Sequence, residues 1–428
     1  MSSESGVEVP KGEARLSRNV RLLALASFFQ DVGSESPNIL LPLFLINVVG
    51  AGTAVVGLVE GVAEATATFT KLASGWLSDR LDRRKPLVVL GYALSTATRP
   101  WLAAINTWPP ALFIRFSDRV AKGIRTSPRD ALLADSAPAH AQGRAFGLNR
   151  AMDSLGSFTS LVGAFLVILV IQGDALKMQP TTFRWLAGLS AIPGLLAVLT
   201  VALFVKEVRA SRRRDATAVP RLEPQALARL RADTDRRFYL YLGAMALFTL
   251  GNSSDAFLVL RMQGEGLSLL AIAAVMIPFN LLYAAGSYGA GLLSDRFGRR
   301  HLLIAGWLIF AAVYIAYAAG PSAAVAAGLF IVYGLYYAAT EGVGRAVVAD
   351  MVASRSRATA YGLYYGVLGI ATLPASVVAG VLWQVISPAA PFVVGAALAV
   401  LASVALTVMP VSSRGTLGRR GSSRTDRS

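Results

Sequence analysis

The sequence predicts an all-α membrane protein with twelve transmembrane helices in two pseudo-symmetric six-helix bundles, and three observations carry that expectation. Hydrophobic residues make up 54% of the 428 and charged residues 15%, a balance that suits lipid as solvent. Apolar stretches of roughly 20 residues recur along most of the chain, each long enough to cross about 30 Å of hydrocarbon. The third observation is an internal repeat. Gly75-Trp-Leu-Ser-Asp79-Arg80-Leu-Asp-Arg83-Arg84 returns as Gly291-Leu-Leu-Ser-Asp295-Arg296-Phe-Gly298-Arg299-Arg300. A second match, Ala131-Leu-Leu-Ala-Asp135 against Ala346-Val-Val-Ala-Asp350, is one residue closer together, so one indel separates the two registers. Halves that repeat in this way point to duplication of one bundle, with function at the seam between the copies.

A hydropathy window of about 19 residues sets the spans in order. The first two, 22–48 and 54–78, are divided by the uncharged loop 49–53; the first signature then leads to 86–105. The bare stretch Asn106 to Pro110 precedes 109–127, and spans 144–171 and 182–205 complete the first half. Spans 237–261 and 267–293 open the second half, and the second signature leads to 301–319. Gly320-Pro321 turns the chain into 322–349; 358–385 and 389–409 follow, divided by Ser387-Pro388. The expected domains are a tail (1–20), a first bundle (21–205), a linker (206–236), a second bundle (237–410) and a disordered tail (411–428). Within the linker, Gln225 to Asp235 reads as a solvated tether or as a short surface helix with Leu227 and Leu230 on one face.

The net charge of +16 is placed rather than spread. Lys11, Arg15, Arg18 and Arg21, both signatures, the linker and the tail carry it, whereas the alternate loops are bare. This positive-inside bias reads as a multi-pass protein of the plasma (cell inner) membrane with both termini cytoplasmic, its basic loops in contact with anionic lipid headgroups. It argues against nucleic acid as a partner. The absence of cysteine excludes disulfides, thiol catalysis and thiolate metal sites. The first 20 residues are polar and the first apolar run is too long for a signal-peptide core, so the first span is expected to remain.

Six spans, a basic linker, six spans and a repeated G-x-x-x-D-R-x-x-R-R resemble the major facilitator superfamily over about residues 20–410. That resemblance implies a cytoplasmic gate in which loop aspartates and arginines tie the inner ends of neighbouring helices together in the outward-facing state. The residues matched to it are Gly75, Asp79, Arg80, Arg83, Asp135, Gly291, Asp295, Arg296, Gly298, Arg299 and Asp350. Asp82 stands where the family usually has glycine. Arg119-Val-Ala-Lys122-Gly123 is similar to the family's R-x-x-Q-G motif, often linked to proton coupling, with lysine in place of glutamine. The longer run from Asp118 to Asp135 looks like a branch of poorly defined substrates. Ser157 stands at the proline position of the antiporter motif, which weakens drug/proton antiport.

Ionisable residues inside spans carry the chemistry, because each costs roughly 2.5–3.5 kcal/mol even on lenient insertion scales. Asp31, Glu64, Arg119 and Asp153 each lie nine or ten residues into their spans. At 1.5 Å per residue that depth is roughly 15 Å, half of a hydrocarbon core about 30 Å thick. Glu35, Glu60, Arg115 and Arg150 share their faces at i,i+3 or i,i+4 spacing. With Asp118, Lys71 and Lys122 the set holds six acids and five bases, so it neutralises itself and leaves the sign of the substrate open. Asp31 and Glu64 are the expected proton carriers and Arg119 the cation that modulates them.

In the second half, Asn252, Ser253, Ser254 and Asn280 offer neutral hydrogen bonds, with Asp255 expected nearer the outer surface. Tyr283, Tyr333, Tyr336, Tyr337, Tyr361, Tyr364 and Tyr365 either line a cavity or pack, and Glu341 with Arg345 lies toward the inner gate. Glycines 147, 156, 163, 362, 366 and 369 are read as sites of close helix approach. No phosphate-binding G-x-x-x-x-G-K-[ST] occurs, and His140 and His301 fall in loops, so no cofactor, metal or enzyme chemistry is expected.

The expectation is a monomeric secondary active transporter of a small solute, proton-coupled, with alternating access around a midplane cavity of Asp31, Glu35, Glu60, Glu64, Arg115, Arg119, Arg150, Asp153, Asn252 and Asn280. An uncoupled facilitator or exporter of amphipathic compounds is the near alternative. A non-transporting receptor or scaffold is the distant one.

Overall fold

The computed structural model describes residues 16–81, 83–137, 142–208, 231, 234–352 and 357–409. The tails, most of the linker with its expected surface helix, Asp82 and His140 lie outside them. Six helices form the first half: α1 (Arg18–Asn47), α2 (Thr53–Leu81), α3 (Lys85–Ala103), α4 (Trp108–Asp135), α5 (Gln142–Ile171) and α6 (Pro180–Leu199), the last ending in a π-turn over Thr200–Phe204. The second half holds α7 (Arg236–Gly251), α8 (Ala256–Gly264), α9 (Leu269–Phe297), α10 (Arg299–Ala318), α11 (Ala323–Met351), α12 (Arg357–Val385) and α13 (Ala390–Val408). One span differs from the expectation. The seventh is not continuous: α7 and α8 are its two pieces, interrupted at 252–255.

By length and composition alone, eight spans among the described residues are apolar enough to cross a membrane. The four that fall short are α1 to α4. Their interiors carry Asp31, Glu35, Glu60, Glu64, Arg99, Arg115, Asp118 and Arg119, which lower hydropathy without barring a span whose polar side faces protein.

Packing repeats the duplication. In the first half α1 meets α5 and α6, α2 meets α4, and α3 meets α4 and α6. Each pair has its counterpart in the second half: α7 with α12 and α13, α9 with α11, and α10 with α11 and α13. The halves join along two seams, α2 against α12 and α5 against α9. Their interiors differ in kind. The second bundle buries a ring cluster in which Phe248 stacks on Trp307 at 4.8 Å and Phe310 on Tyr314 at 3.9 Å. The first buries guanidinium groups.

The α2–α12 seam is tight because glycine faces it from both sides. A Cβ on Gly57 or Gly61 would overlap the backbone at Ser376 or Leu373, and one on Gly380 would overlap Thr53. Of the glycines expected to allow close approach, Gly156 does so against Phe28 and Asp31, and Gly369 against Thr68. Glycines 147, 163, 362 and 366 have open space where a Cβ would stand.

We call the end where α1 begins the terminal end and the opposite one the far end. At the far end polar bonds close the halves onto each other. Thr53 Oγ1 donates to the Gly380 carbonyl (3.1 Å) and the Ala54 N–H to Gln384 Oε1 (3.2 Å). Asn47 Nδ2 donates to Gln263 Oε1 (3.0 Å), and Gln263 Nε2 to the Leu176 carbonyl (2.9 Å).

Arg99 holds the first bundle together internally. It is 3% exposed, and its guanidinium donates to the Ser190 carbonyl of α6 (2.8 Å) and the Gln30 carbonyl of α1 (3.2 Å). Gly33 and Gly194 make the room, since a Cβ on either would strike it. Replacing Arg99 by methionine removes the two hydrogen bonds that tie α3 to α1 and α6, and the expected loss is about 2–3 kcal/mol of stability. Thermal unfolding of the purified variant beside the parent checks this.

Candidate functional site

Between the bundles lies a cavity of about 420 Å³, within the range of small-molecule sites. Helical periodicity builds its first wall. Arg115, Asp118, Arg119, Lys122 and Arg125 recur at spacings of three and four, so they share one face of α4. All five line the cavity, as do Glu60 and Glu64, one turn apart on α2, and Glu35 of α1. Arg115 Nη2 reaches both oxygens of Glu60, at 3.3 and 3.1 Å. Both side chains are buried, so each charge is compensated where water does not reach it. One turn along, Arg119 Nη2 lies 3.3 Å from Glu64 Oε1. Glu64 differs from Glu60 in accessibility: its side chain is 49% exposed. Asp118 accepts from Ser95 Oγ at 2.5 Å, and Ser95 accepts from Gln30 Nε2 at 2.9 Å, which ties α4 to α3 and α1. The Arg125 guanidinium lies 5.3 Å from the Tyr92 ring centroid, a cation–π distance.

The second wall is built by the interrupted seventh span. Asn252, Ser253, Ser254 and Asp255 line the cavity with Asn280, Phe279, Phe330 and Tyr337. Asn252 Nδ2 donates to the Tyr336 hydroxyl (2.8 Å), and Asn280 Nδ2 to the Met276 carbonyl (2.9 Å). Asp255 corrects its expected place nearer the outer surface. Its Oδ1 accepts from the Tyr333 hydroxyl (3.0 Å) and its Oδ2 from the Tyr337 hydroxyl (2.8 Å), so two phenols of α11 hold the carboxylate at the cavity. Of the seven tyrosines, Tyr337 lines the cavity; Tyr333, Tyr336 and Tyr364 are buried packing residues.

Three of the ten expected cavity residues lie elsewhere. Asp31 packs against α5 at Gly156, behind the wall. Asp153 accepts from Asn149 Nδ2 (3.1 Å) and faces Arg129 Nη1 at 3.8 Å, and that nitrogen also donates to Ser27 Oγ (2.9 Å). Arg150 reaches across the α5–α9 seam to donate to the Tyr283 hydroxyl (2.9 Å), which donates in turn to Glu341. The single level of converging charge expected from depth therefore divides by helix face. Glu60, Glu64, Arg115 and Arg119 meet at the cavity, while Asp31 and Asp153 sit where α1, α4 and α5 pack. Sequence reasoning also passed over Arg99, Arg125 and Arg129. The i,i+3 step from Lys122 to Arg125 was the available signal for one of them.

At the terminal end the repeat takes physical form. Arg84 pairs with Asp135 and donates to the Ala131 carbonyl at 2.8 Å. Arg299 pairs with Asp350 at 2.7 Å and donates to the Ala346 carbonyl at 2.8 Å. Each clamp joins neighbouring helices within one half, α3 to α4 and α10 to α11. The match of Arg84 with Arg299 places the indel in the turn after the loop aspartate. Arg83 is exposed, and Arg84 makes the clamp. Gly298 occupies the shorter turn at φ 87°, a left-handed conformation that glycine adopts without strain. Arg296 lies 5.4 Å from the Phe297 ring centroid. Gly75, Asp79 and Gly291, Asp295 fall in the last two turns of α2 and α9, with Arg80 following Asp79. The side chains of Asp79, Arg80 and Asp295 lie outside the described residues. On this side Glu64, Lys71, Glu341 and Arg345 are exposed, so the cavity closed at the far end opens toward the terminal one.

Comparison with known proteins agrees with this architecture. The family model described as Major Facilitator Superfamily matches residues 23–288 and 256–426. An uncharacterized MFS-type transporter of Methanocaldococcus jannaschii is 33% identical over 402 residues, covering 92% of this chain and 96% of its own. An uncharacterized protein of Mycobacterium tuberculosis is 30% identical over 384 residues, 86% of this chain and 87% of its own. Among solved structures, a nucleoside transporter mutant has a TM-score of 0.77 at 15% identity, covering 91% of this chain and 99% of its own. A D-xylose–proton symporter has a TM-score of 0.73 at 15% identity, covering 92% and 98%. At such identity these two share the fold. The chain thus has relatives in sequence and in shape, and it belongs to the Major Facilitator Superfamily of membrane transporters.

Proposed function

We propose that this chain is a proton-coupled secondary active transporter of a small solute, working by alternating access. One observation carries the reading: an ionised cavity lies between two repeat-related bundles, closed by cross-bundle bonds at one end and open at the other. The placement of basic residues supports cytoplasmic termini in the inner membrane, so the open end faces the cytoplasm. Opening the far end requires the bonds at Asn47, Thr53, Ala54 and Gln263 to break while the halves rock on the α2–α12 and α5–α9 seams. The gate residues of both signatures then come together in the outward-facing state.

Coupling needs a carboxylate that the cavity can reach and whose protonation changes a contact. Glu64 meets both requirements, since ionised it forms an ion pair with Arg119 and protonated it loses the charge that holds that pair. Asp31 stands behind the wall, and its contribution runs through the packing of α1 on α5. Glu60 and Arg115 balance each other's charge, which suits a structural pair.

Two outcomes test this reading. In proteoliposomes with an imposed pH gradient, Glu64→Gln is expected to keep solute exchange and to lose uphill accumulation, measured over a panel of amino acids, sugars, nucleosides and organic acids. Accumulation that persists in this variant rejects the coupling role, and flux that ignores collapse of the gradient identifies a facilitator. Because the sequence contains no cysteine, Asn47→Cys with Gln263→Cys supplies the only two thiols. Joining them with a short thiol cross-linker is expected to cut flux by about tenfold or more, with recovery on reduction, because the far end can no longer open.

A further inference from the structure

Among the described residues the unpartnered polar groups that α4 brings to this cavity are all donors, and Gln30 Oε1 and Ser253 Oγ are also buried there without a partner. On α4, Arg115 Nε and Nη1, Arg119 Nε and Arg125 Nη1 are buried and have no acceptor among the described residues. Their side chains are 4%, 7% and 6% exposed, and all three line the cavity. Lys122 stands beside them on the same face. These groups are donors only. On the opposite wall the unmet groups are the Asn252 amide oxygen and the Ser253 hydroxyl, beside the Asp255 carboxylate. Asn252 gives its amide N–H to Tyr336, and its Oδ1 is buried with no donor among the described residues. Asp255 is held by two phenols and forms no ion pair among the described residues, although each carboxylate oxygen has capacity for another donor. Buried donors and acceptors left unmade are costly, so the two walls together ask for an occupant with an acceptor-rich end and a donor-rich end.

We propose that the transported solute is a small zwitterion of the amino-acid class. Its carboxylate lies against Lys122 and Arg125 of α4 and its ammonium against Asp255 and Asn252 of the interrupted span. A carboxylate alone satisfies α4 and leaves Asp255 without a counter-charge. An amine alone does the reverse. A neutral sugar brings no counter-charge to Lys122 and Arg125 or to Asp255. The volume of about 420 Å³ accommodates a single amino acid, and Phe279 and Phe330 offer its side chain an apolar surface. Because the two charged ends touch different bundles, occupancy draws the halves together, which ties recognition to the alternating motion. The assignment rests on the transport reading above.

The test is calorimetric titration of the purified full-length chain with each of the twenty L-amino acids, then with the deaminated acid and the decarboxylated amine of the best binder. The zwitterion is expected to bind at least tenfold more tightly than either singly charged counterpart. Lys122→Gln is expected to weaken the zwitterion and the acid but not the amine; Asp255→Asn is expected to weaken the zwitterion and the amine but not the acid. The proposal is overturned if no amino acid binds, or if either counterpart binds as tightly as its parent. The three-ligand comparison on the unaltered protein decides the matter even where a variant fails to fold. Flux of a sugar or an organic acid without amino-acid binding sinks the zwitterion and spares the transporter. Amino-acid binding without counterflow in proteoliposomes sinks transport and spares the ligand class.

Discussion

A charge held inside a bilayer must be turned toward protein or water and given a partner, and the first bundle is organised around that requirement. The α4 face from Arg115 to Arg125 fixes how that helix is rotated, because no other rotation keeps its guanidinium groups out of lipid. The rotation of α2 follows, since Glu60 and Glu64 must meet Arg115 and Arg119. Once these pairs form, the rest of the stripe has no carboxylate opposite it on α2, and that remainder opens into the cavity. The α1–α3–α6 packing obeys the same rule through Arg99, which donates to two helix carbonyls. The second bundle carries little of this burden and fills its interior with stacked rings.

The two halves share a scaffold and divide the chemistry. Arg84 with Asp135 and Arg299 with Asp350 make the same joint twice, down to the carbonyl one turn before the aspartate. Inside the membrane, the walls have diverged: ion pairs line one, while the other is a broken helix with a carboxylate held by phenols. Substrate contact at unlike walls makes the direction of the ligand in the cavity definite, which two identical walls would not.

Much of this was legible in the sequence. Span number, the duplication and the inward face of α4 follow from hydropathy, repetition and helical spacing. What spacing cannot give is the neighbour. Asp153 and Arg150 share a face of α5 at i,i+3, yet one turns to Arg129 and the other to Tyr283, because the packing of α4 and α9 against that face decides the partner. Depth was equally incomplete for Asp31, which packs against Gly156 of α5 and does not line the cavity. The break in the seventh span did leave a trace. Asn252-Ser253-Ser254-Asp255 places four residues in succession whose side chains compete with the helical backbone for hydrogen bonds. An average over about 19 residues dilutes that trace in the apolar sequence on either side.

The glycine faces of the α2–α12 seam have a kinetic consequence. Interlocked side chains must be lifted out of their holes before two helices can move past each other, and that lifting raises an activation barrier. Gly57 and Gly61 against Ser376 and Leu373, and Gly380 against Thr53, bring backbone against backbone with no such projections. The resistance to parting is then concentrated in a few hydrogen bonds at the far end, and water can replace those one at a time as the ends separate. Close packing and low friction come from the same absence of side chains.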